Sequence, residues 1–263
     1  LSIPVIQVRD TLQALGDLAA ALRRGFAGPV VGITGTSGKT TTKELLASIL
    51  SITGPGVKSA GNFNNLIGVP LTLFGLCPEH RWAVIEMGMS ARGEIARLAQ
   101  IAAPQIGIIT NVGAGHLENL GGISGVARAK GELFIHLPAG GAAMVNADDA
   151  QICQLPLANG VRRVTFGVAM EAQVRASRIV AVDGLVRFTL HLPEAEVPVE
   201  LPLPGRHNVQ NALVAAAAAW VLDVPVADIA AGLAAFRPCP GRMELVELSD
   251  DLLILEDSYN ANP

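Results

Sequence analysis

"GITGTSGKTTTKELL", residues 32–46, decides the fold. It follows "PVVGIT" (29–34), a short apolar run of the kind that makes a strand buried on both faces. It leads into "TTKELLASIL", whose apolar residues recur at helical spacing. A strand, a glycine-rich turn and a helix together aim several backbone N–H groups at one spot, and the helix N-terminus adds positive potential there. That is an anion site. The usual phosphate loop has four residues between its first glycine and Gly-Lys-Ser/Thr. Counting back from Gly38-Lys39-Thr40 puts Ile33 where that glycine belongs, and the glycines stand at 32 and 35 instead. The loop is therefore a variant. In it Lys39 is expected to meet the β/γ-phosphates and the Thr40 hydroxyl to ligate Mg²⁺. A purely structural turn with a solvated lysine is the bland alternative. The intact Gly-Lys-Thr between strand and helix favours the nucleotide.

The alternation continues outward. "WAVIEMG" (82–88), "QIGIIT" (105–110) and "GAAMVNADD" (141–149) read as strands, with helices "ARGEIARLAQIA" (91–102) and "GISGVARAKGELFIHL" (122–137) between them. Such an order implies βαβ units and a parallel sheet. From 161 to 203 strand-like runs dominate, and the Asp183-Gly184 pair is a hairpin signal. Helices return at 208–222 and 226–236, and "MELVEL" and "LLILED" close the chain as strands turning at Ser249-Asp250-Asp251. The lead-in "RDTLQALGDLAAALRRGF" has helical spacing, with Asp10-Thr11 as a start signal. The expected fold is α/β: an open, mostly parallel, P-loop-type sheet flanked by helices, with a small antiparallel β annex at about 161–203.

Bulk properties exclude several classes. The 263 residues allow about one to two domains, and 50% hydrophobic with 4% aromatic residues means an aliphatic, alanine-rich core. A net charge of −4 without a basic run argues against nucleic acid as partner. Cys77, Cys153 and Cys239 are far apart, lack zinc spacing and are odd in number, which fits a reducing, cytoplasmic setting. The longest apolar run, Ala212 to Leu222, is too short to span a bilayer, which takes about 20 residues, so no membrane insertion is expected. The chain begins with Leu1 and stops after "DSYNANP", so it is expected to be a fragment of a longer protein.

Two further residues, Glu86 and His116, sit where a strand-end site would draw on them, and Lys130 does not. Glu86 comes late in "WAVIEMG"; a carboxylate at the C-terminal end of a parallel strand faces the ligand crevice and could share Mg²⁺ with Thr40. His116, in "NVGAGHLENLGG", also follows a strand, although a lone histidine is more often structural or solvated. Lys130, in "VARAKGELF", lies on a helix, where a lysine ordinarily marks a solvated face. Asn62, Asn64 and Asn65 in "GNFNNLIGVPLTLFGL" (61–76) offer amides for substrate, or simply an Asn-rich turn.

"TGTSGKTTT" resembles the ATP loop of the Mur ligase superfamily, which also includes folylpolyglutamate synthases. "AVIEMG", "NVGAGHLENLGG" and "AKGELF" are similar to the family's central domain. The resemblance implies that Gly35, Thr36, Ser37, Gly38, Lys39, Thr40 and Thr41 hold ATP. It implies that Thr40 and Glu86 bind a first Mg²⁺. It gives a second Mg²⁺ to His116 and to Lys130, the latter as a carbamylated lysine, and makes Lys39, Lys130 and His116 the catalytic set. "LPGRHNVQNALVAAAAA" (203–219) is similar to the adenine-contacting stretch, with Asn208 and Asn211, although Asn208 could instead be an N-cap. "PGRMELV" offers Arg242 near the terminal phosphates, and "EDSYNANP" (256–263) places Asp257 at the ribose with Tyr259 and Asn260 beside it.

The segment 61–76 is similar to that of the member adding D-alanyl-D-alanine to UDP-N-acetylmuramoyl-tripeptide. The implied activity is therefore ATP-driven amide formation through an acyl phosphate in peptidoglycan synthesis, by a monomeric bacterial enzyme. The implied organisation is 1–27 as the tail of a UDP-substrate domain, 28–256 as the central ATP domain, and 257–263 as the start of a linker. The alternatives are a diaminopimelate- or lysine-adding sister, a folylpolyglutamate synthase, and a non-ligase P-loop NTPase.

Overall fold

A computed structural model describes residues 4–114, 120–182, 184–238, 244–249, 252–256 and 258. In it β1 (Val30–Thr34) feeds its glycine turn into α2 (Lys39–Ser51), as the opening stretch requires. β1 lies between β3 (Ala83–Glu86) and β4 (Ile106–Ile109), parallel to both. β2 (Val57–Lys58) pairs outside β3. Beyond β4 come β5 (Ala142–Asn146), β6 (Arg162–Gly167) and β7 (Val174–Val182), each parallel to the last. β8 (Leu185–Leu192) and β9 (Ala195–Leu201) complete a nine-stranded sheet as antiparallel strands. The antiparallel part is thus β7–β9, and it is the far edge of the main sheet. β6, grouped with the annex by its sequence, is a parallel strand of the central sheet. Asp183 lies outside the described residues, but Val182 pairs with Leu185 around it and Gly184 takes φ +78°. β10 (Glu244–Ser249) and β11 (Leu252–Glu256) form a separate antiparallel pair.

The apolar central strands are buried on both faces by helices. One face carries α2 with α7 (Arg206–Val221) and α8 (Val226–Ala234). The other carries α3 (Gly68–Phe74), α4 (Glu94–Ala102), α5 (Ile123–Ile135) and the short α6 (Ala150–Cys153). In α7, residues 212–219 are fully buried, five of them consecutive alanines from 215, so the helix can lie close to both the sheet and α2. α8 crosses α2 at Gly232, where a Cβ would stand 2.4 Å from the Ile49 Cα. Among the described residues no helix is long and apolar enough to cross a membrane.

The lead-in is helical as expected. α1 (Thr11–Arg24) is capped by the Asp10 carboxylate, which accepts from the N–H groups of Leu12 and Gln13. It packs on α3 and α4, and its buried Arg23 donates to the carbonyls of Ala102, Phe26 and Ala103. Residues 11–24 are thereby fastened to the sheet domain through a buried guanidinium.

Candidate active site

The strand order explains why the site lies where it does. The chain leaves β1 toward β3 on one side and returns to β4 on the other, and ligands bind at such a switch point outside the strand ends. The glycine turn therefore sits between Glu86, at the end of β3, and Thr110-Asn111, just past β4. Gly35 (φ +152°) and Gly38 (φ +77°) both adopt backbone conformations that L side chains rarely take. A Cβ on Gly35 would fall 1.9 Å from Thr110 Oγ1, and one on Gly38 would fall 2.4 Å from Asn211 Oδ1. No side chain caps α2, whose N-cap is Gly38, so its first N–H groups stay available to an anion. Lys39 curls over the turn, Nζ donating to the carbonyls of Gly35 (2.7 Å) and Thr36 (3.3 Å). Thr41 is half-buried in the first turn of α2.

Thr40 and Glu86 meet as expected: Thr40 Oγ1 donates to Glu86 Oε2 at 2.9 Å. Asn64 Nδ2 donates to the other carboxylate oxygen at 3.0 Å. Beneath them lies a residue the sequence reading missed. Lys43 is 1% exposed, donates to the Ser59 carbonyl at 2.7 Å, and stands 3.2 Å from Glu44 and 3.8 Å from Glu86. Glu44 also pairs with Lys58. A cation this deep is tolerable only with such partners. Its sole sequence signal was its place one turn after Lys39, on a face that the helix buries.

A cleft of about 610 Å³ opens beside the turn, with Lys39, Lys130, Asn64, Asn65 and Glu94 among its polar walls and Leu12, Leu66 and Met89 among its apolar ones. Lys130 is not on a solvated face: it is 3% exposed. Burial, and then the positive charge of Lys39, lower its pKa to about 7. Asn65 also starts α3, its Oδ1 accepting from the N–H groups of Ile67 and Gly68. Asn62 is exposed and does not line the cleft.

Asn208 and Asn211 support the turn from α7. Asn211 touches Gly38, accepts from Thr42 Oγ1 at 3.4 Å and donates to Asn208 Oδ1 at 3.0 Å. Asn208 in turn donates to the Pro204 carbonyl at 2.7 Å. The N-cap of α7 is Gly205, so Asn208 sits inside the first turn and is not the cap. Both asparagines are buried and neither lines the cleft. His116, Arg242, Asp257, Tyr259 and Asn260 lie outside the described residues.

Among the described residues no three His, Cys, Asp or Glu side chains gather as a metal cluster. The Thr40 hydroxyl and the buried Glu86 carboxylate are nevertheless hard oxygen donors beside an anion site, the set Mg²⁺ takes when phosphates supply further ligands.

Comparison with known proteins agrees with this geometry. Over its whole length the chain is 43% identical to the UDP-N-acetylmuramoyl-tripeptide–D-alanyl-D-alanine ligase of Escherichia coli (strain K12), of which it spans 58%. Its fold superposes on a crystal structure of MurF from Acinetobacter baumannii with a TM-score of 0.92 at 38% identity, covering 99% of this chain and 58% of that one. A MurF ligase from Thermotoga maritima, solved in complex with ADP, gives 0.88 at 28% identity, covering 99% and 60%. Residues 33–219, most of the chain, match the Mur ligase middle domain, and the chain belongs to that family.

Proposed function

We propose that the chain is the ATP-binding part of a bacterial, cytoplasmic, monomeric ligase that adds D-alanyl-D-alanine to UDP-N-acetylmuramoyl-tripeptide. Residues 1–27 belong to the end of its UDP-substrate domain and 257–263 to the linker toward a C-terminal one. The observation that carries the reading is the meeting of Lys39 with a second, buried lysine at one cleft. A plain NTPase has no use for Lys130 there. Identity to ligases bearing that name supports the choice of acceptor.

The tripeptide carboxylate attacks the γ-phosphorus of ATP, ADP leaves, and the amine of D-alanyl-D-alanine displaces phosphate from the acyl phosphate. The protein positions and neutralises charge, without a nucleophile of its own. Gly35 to Thr41 form the nucleotide turn, in which Gly35, Thr36 and Ser37 set the shape and Gly38 to Thr41 present the start of α2 to the phosphates; Lys39 offsets the charge developing on them, and Asn64 and Asn65 face the substrate. Asn208 and Asn211 act on the nucleotide site from behind, through Gly38 and Thr42, while Arg242 and Asp257 complete the nucleotide contacts. Thr40 and Glu86 would hold one Mg²⁺; His116 and Lys130 would hold another. Bound there, the metals would screen the repulsion between phosphates and incoming carboxylate. For Lys130 that role needs an anion. A pKa of about 7 leaves much of the amine neutral at physiological pH, free to add CO₂ and release a proton as the carbamate forms.

Phosphate release by the full-length enzyme, given Mg-ATP and the UDP-linked tripeptide, tests the reading. Release that requires D-alanyl-D-alanine supports it. Release with a different amine moves the protein to a sister ligase, and release indifferent to every amine defeats the ligase reading altogether.

A further inference from the structure

We propose that Asn111, backed by Thr110, is a positioning residue of the nucleotide site. From the end of β4 it holds Thr36 and Ser37 in the phosphate-receiving shape, and it does the work of the two residues by which the span from Gly35 to Gly38 falls short of the usual loop. The proposal rests on the nucleotide reading of that turn.

The contacts are reciprocal. Asn111 Oδ1 accepts from the Ser37 N–H at 3.0 Å and from its hydroxyl at 3.3 Å, while Nδ2 donates to the Ser37 carbonyl at 3.1 Å. A side-chain amide here pairs with a peptide unit as a neighbouring strand would. The Asn111 carbonyl accepts from the Thr36 N–H at 3.1 Å, and Thr36 Oγ1 accepts from the Gly113 N–H at 2.9 Å. Thr110 Oγ1 donates to the Ser37 carbonyl at 2.6 Å, in the space that only a glycine at 35 leaves open. Ser37 is exposed, yet both of its peptide groups are engaged.

Two consequences follow. The N–H groups of Thr36 and Ser37 are already used, so phosphate is received from Gly38 onward, by the start of α2. The turn is also set before the nucleotide arrives. Without the clamp only a fraction of molecules would hold the receiving shape, and apparent affinity falls by that fraction.

The test uses full-length enzyme carrying Asn111→Ala, Thr110→Val or Thr110→Ser. Hydrogen exchange without nucleotide should show Ser37 protected in the parent and exchanging at least about tenfold faster in Asn111→Ala, with α2 core amides unchanged. ADP binding should weaken about 10- to 100-fold, the tax for a receiving state populated at about 1–10%. The KM for ATP should rise with it, while kcat at saturating ATP falls far less and the KM values for the other two substrates hold. Thr110→Ser, which keeps the hydroxyl, should weaken ADP binding far less than Thr110→Val. Parental exchange and ADP affinity in Asn111→Ala would overturn the proposal. So would a common fall of kcat and melting temperature with the KM for ATP unmoved, the mark of a merely structural residue. A parent that binds no nucleotide would sink the ligase reading instead. In that case Ser37 exchange still decides the clamp: protection lost in Asn111→Ala upholds it, and none in the parent removes it.

Discussion

Replacing Lys130 by methionine should make the protein more stable, and the gain should depend on pH in a way that only a buried amine produces. The ammonium ordinarily titrates near 10.5, and here its pKa is about 7, first through burial and then through the charge of Lys39. Between those values the unfolded chain holds a proton that the folded chain has lost. The unfolded state binds more protons across this window, so stability rises with pH from about 7 to about 10.5. Below about 7 the full penalty stands. A shift of roughly 3.5 units at about 1.4 kcal/mol each sets an upper bound of about 5 kcal/mol. Methionine keeps most of the stem in place, so at pH 7 the variant should gain at least about 2 kcal/mol, and the gain should vanish by about pH 10.5. Urea unfolding of both proteins in CO₂-free buffer, from about pH 6 to pH 10.5, measures the difference while other titrations cancel. Bicarbonate adds a second arm. The folded chain offers CO₂ about a thousandfold more neutral amine near pH 7 than the unfolded chain does, so bicarbonate should stabilise the parent and leave Lys130→Met unchanged. A variant no more stable than its parent at pH 7, or a gain that is flat with pH, would refute the burial argument.

Other substitutions probe the turn and the charges under it. Lys39→Ala should lower turnover of the full-length enzyme by several orders of magnitude, and a loss under about tenfold in a phosphate-release assay would count heavily against the loop assignment. Gly35→Ala puts a Cβ 1.9 Å from Thr110 Oγ1 at φ +152°, whereas Gly61→Ala meets open space at φ +48°. Thermal or urea unfolding should show the first costing more than about 2 kcal/mol and the second only about 1. Lys43→Met strands Glu86 and Glu44 without their buried cation and should cost about 3–5 kcal/mol at neutral pH; an unfolding free energy within about 1 kcal/mol of the parent would mean that the ion pairs carry little.

What the sequence disclosed tracks how local each determinant is. The strand, turn and helix around residues 30–51 were legible because Gly35 and Gly38 answer to their own backbone angles, and Glu86 was legible because a strand's end is a place in any parallel sheet. β6 was grouped wrongly for a physical reason. Its Arg162 and Arg163 are exposed, so its pattern resembles that of a half-solvated antiparallel strand. Lys130 reads as a surface lysine from its helix alone; its burial is imposed by elements far away in the chain, and only the family resemblance singled it out.

Asn111 shows the same limit at the centre of the site. Nothing in "TNVGAG" marks its side chain as part of a loop more than seventy residues earlier. Once β4 is paired with β1 in the register Thr34 to Ile109, however, residues 110 and 111 must lie beside 35 to 37. The departure from the usual glycine spacing then has a structural cause. Spacing describes the chain, but the shape of a phosphate loop belongs equally to the strands beside it. A turn whose next strand supplies an amide and a hydroxyl at the right height can be two residues tighter and still present the start of its helix to an anion.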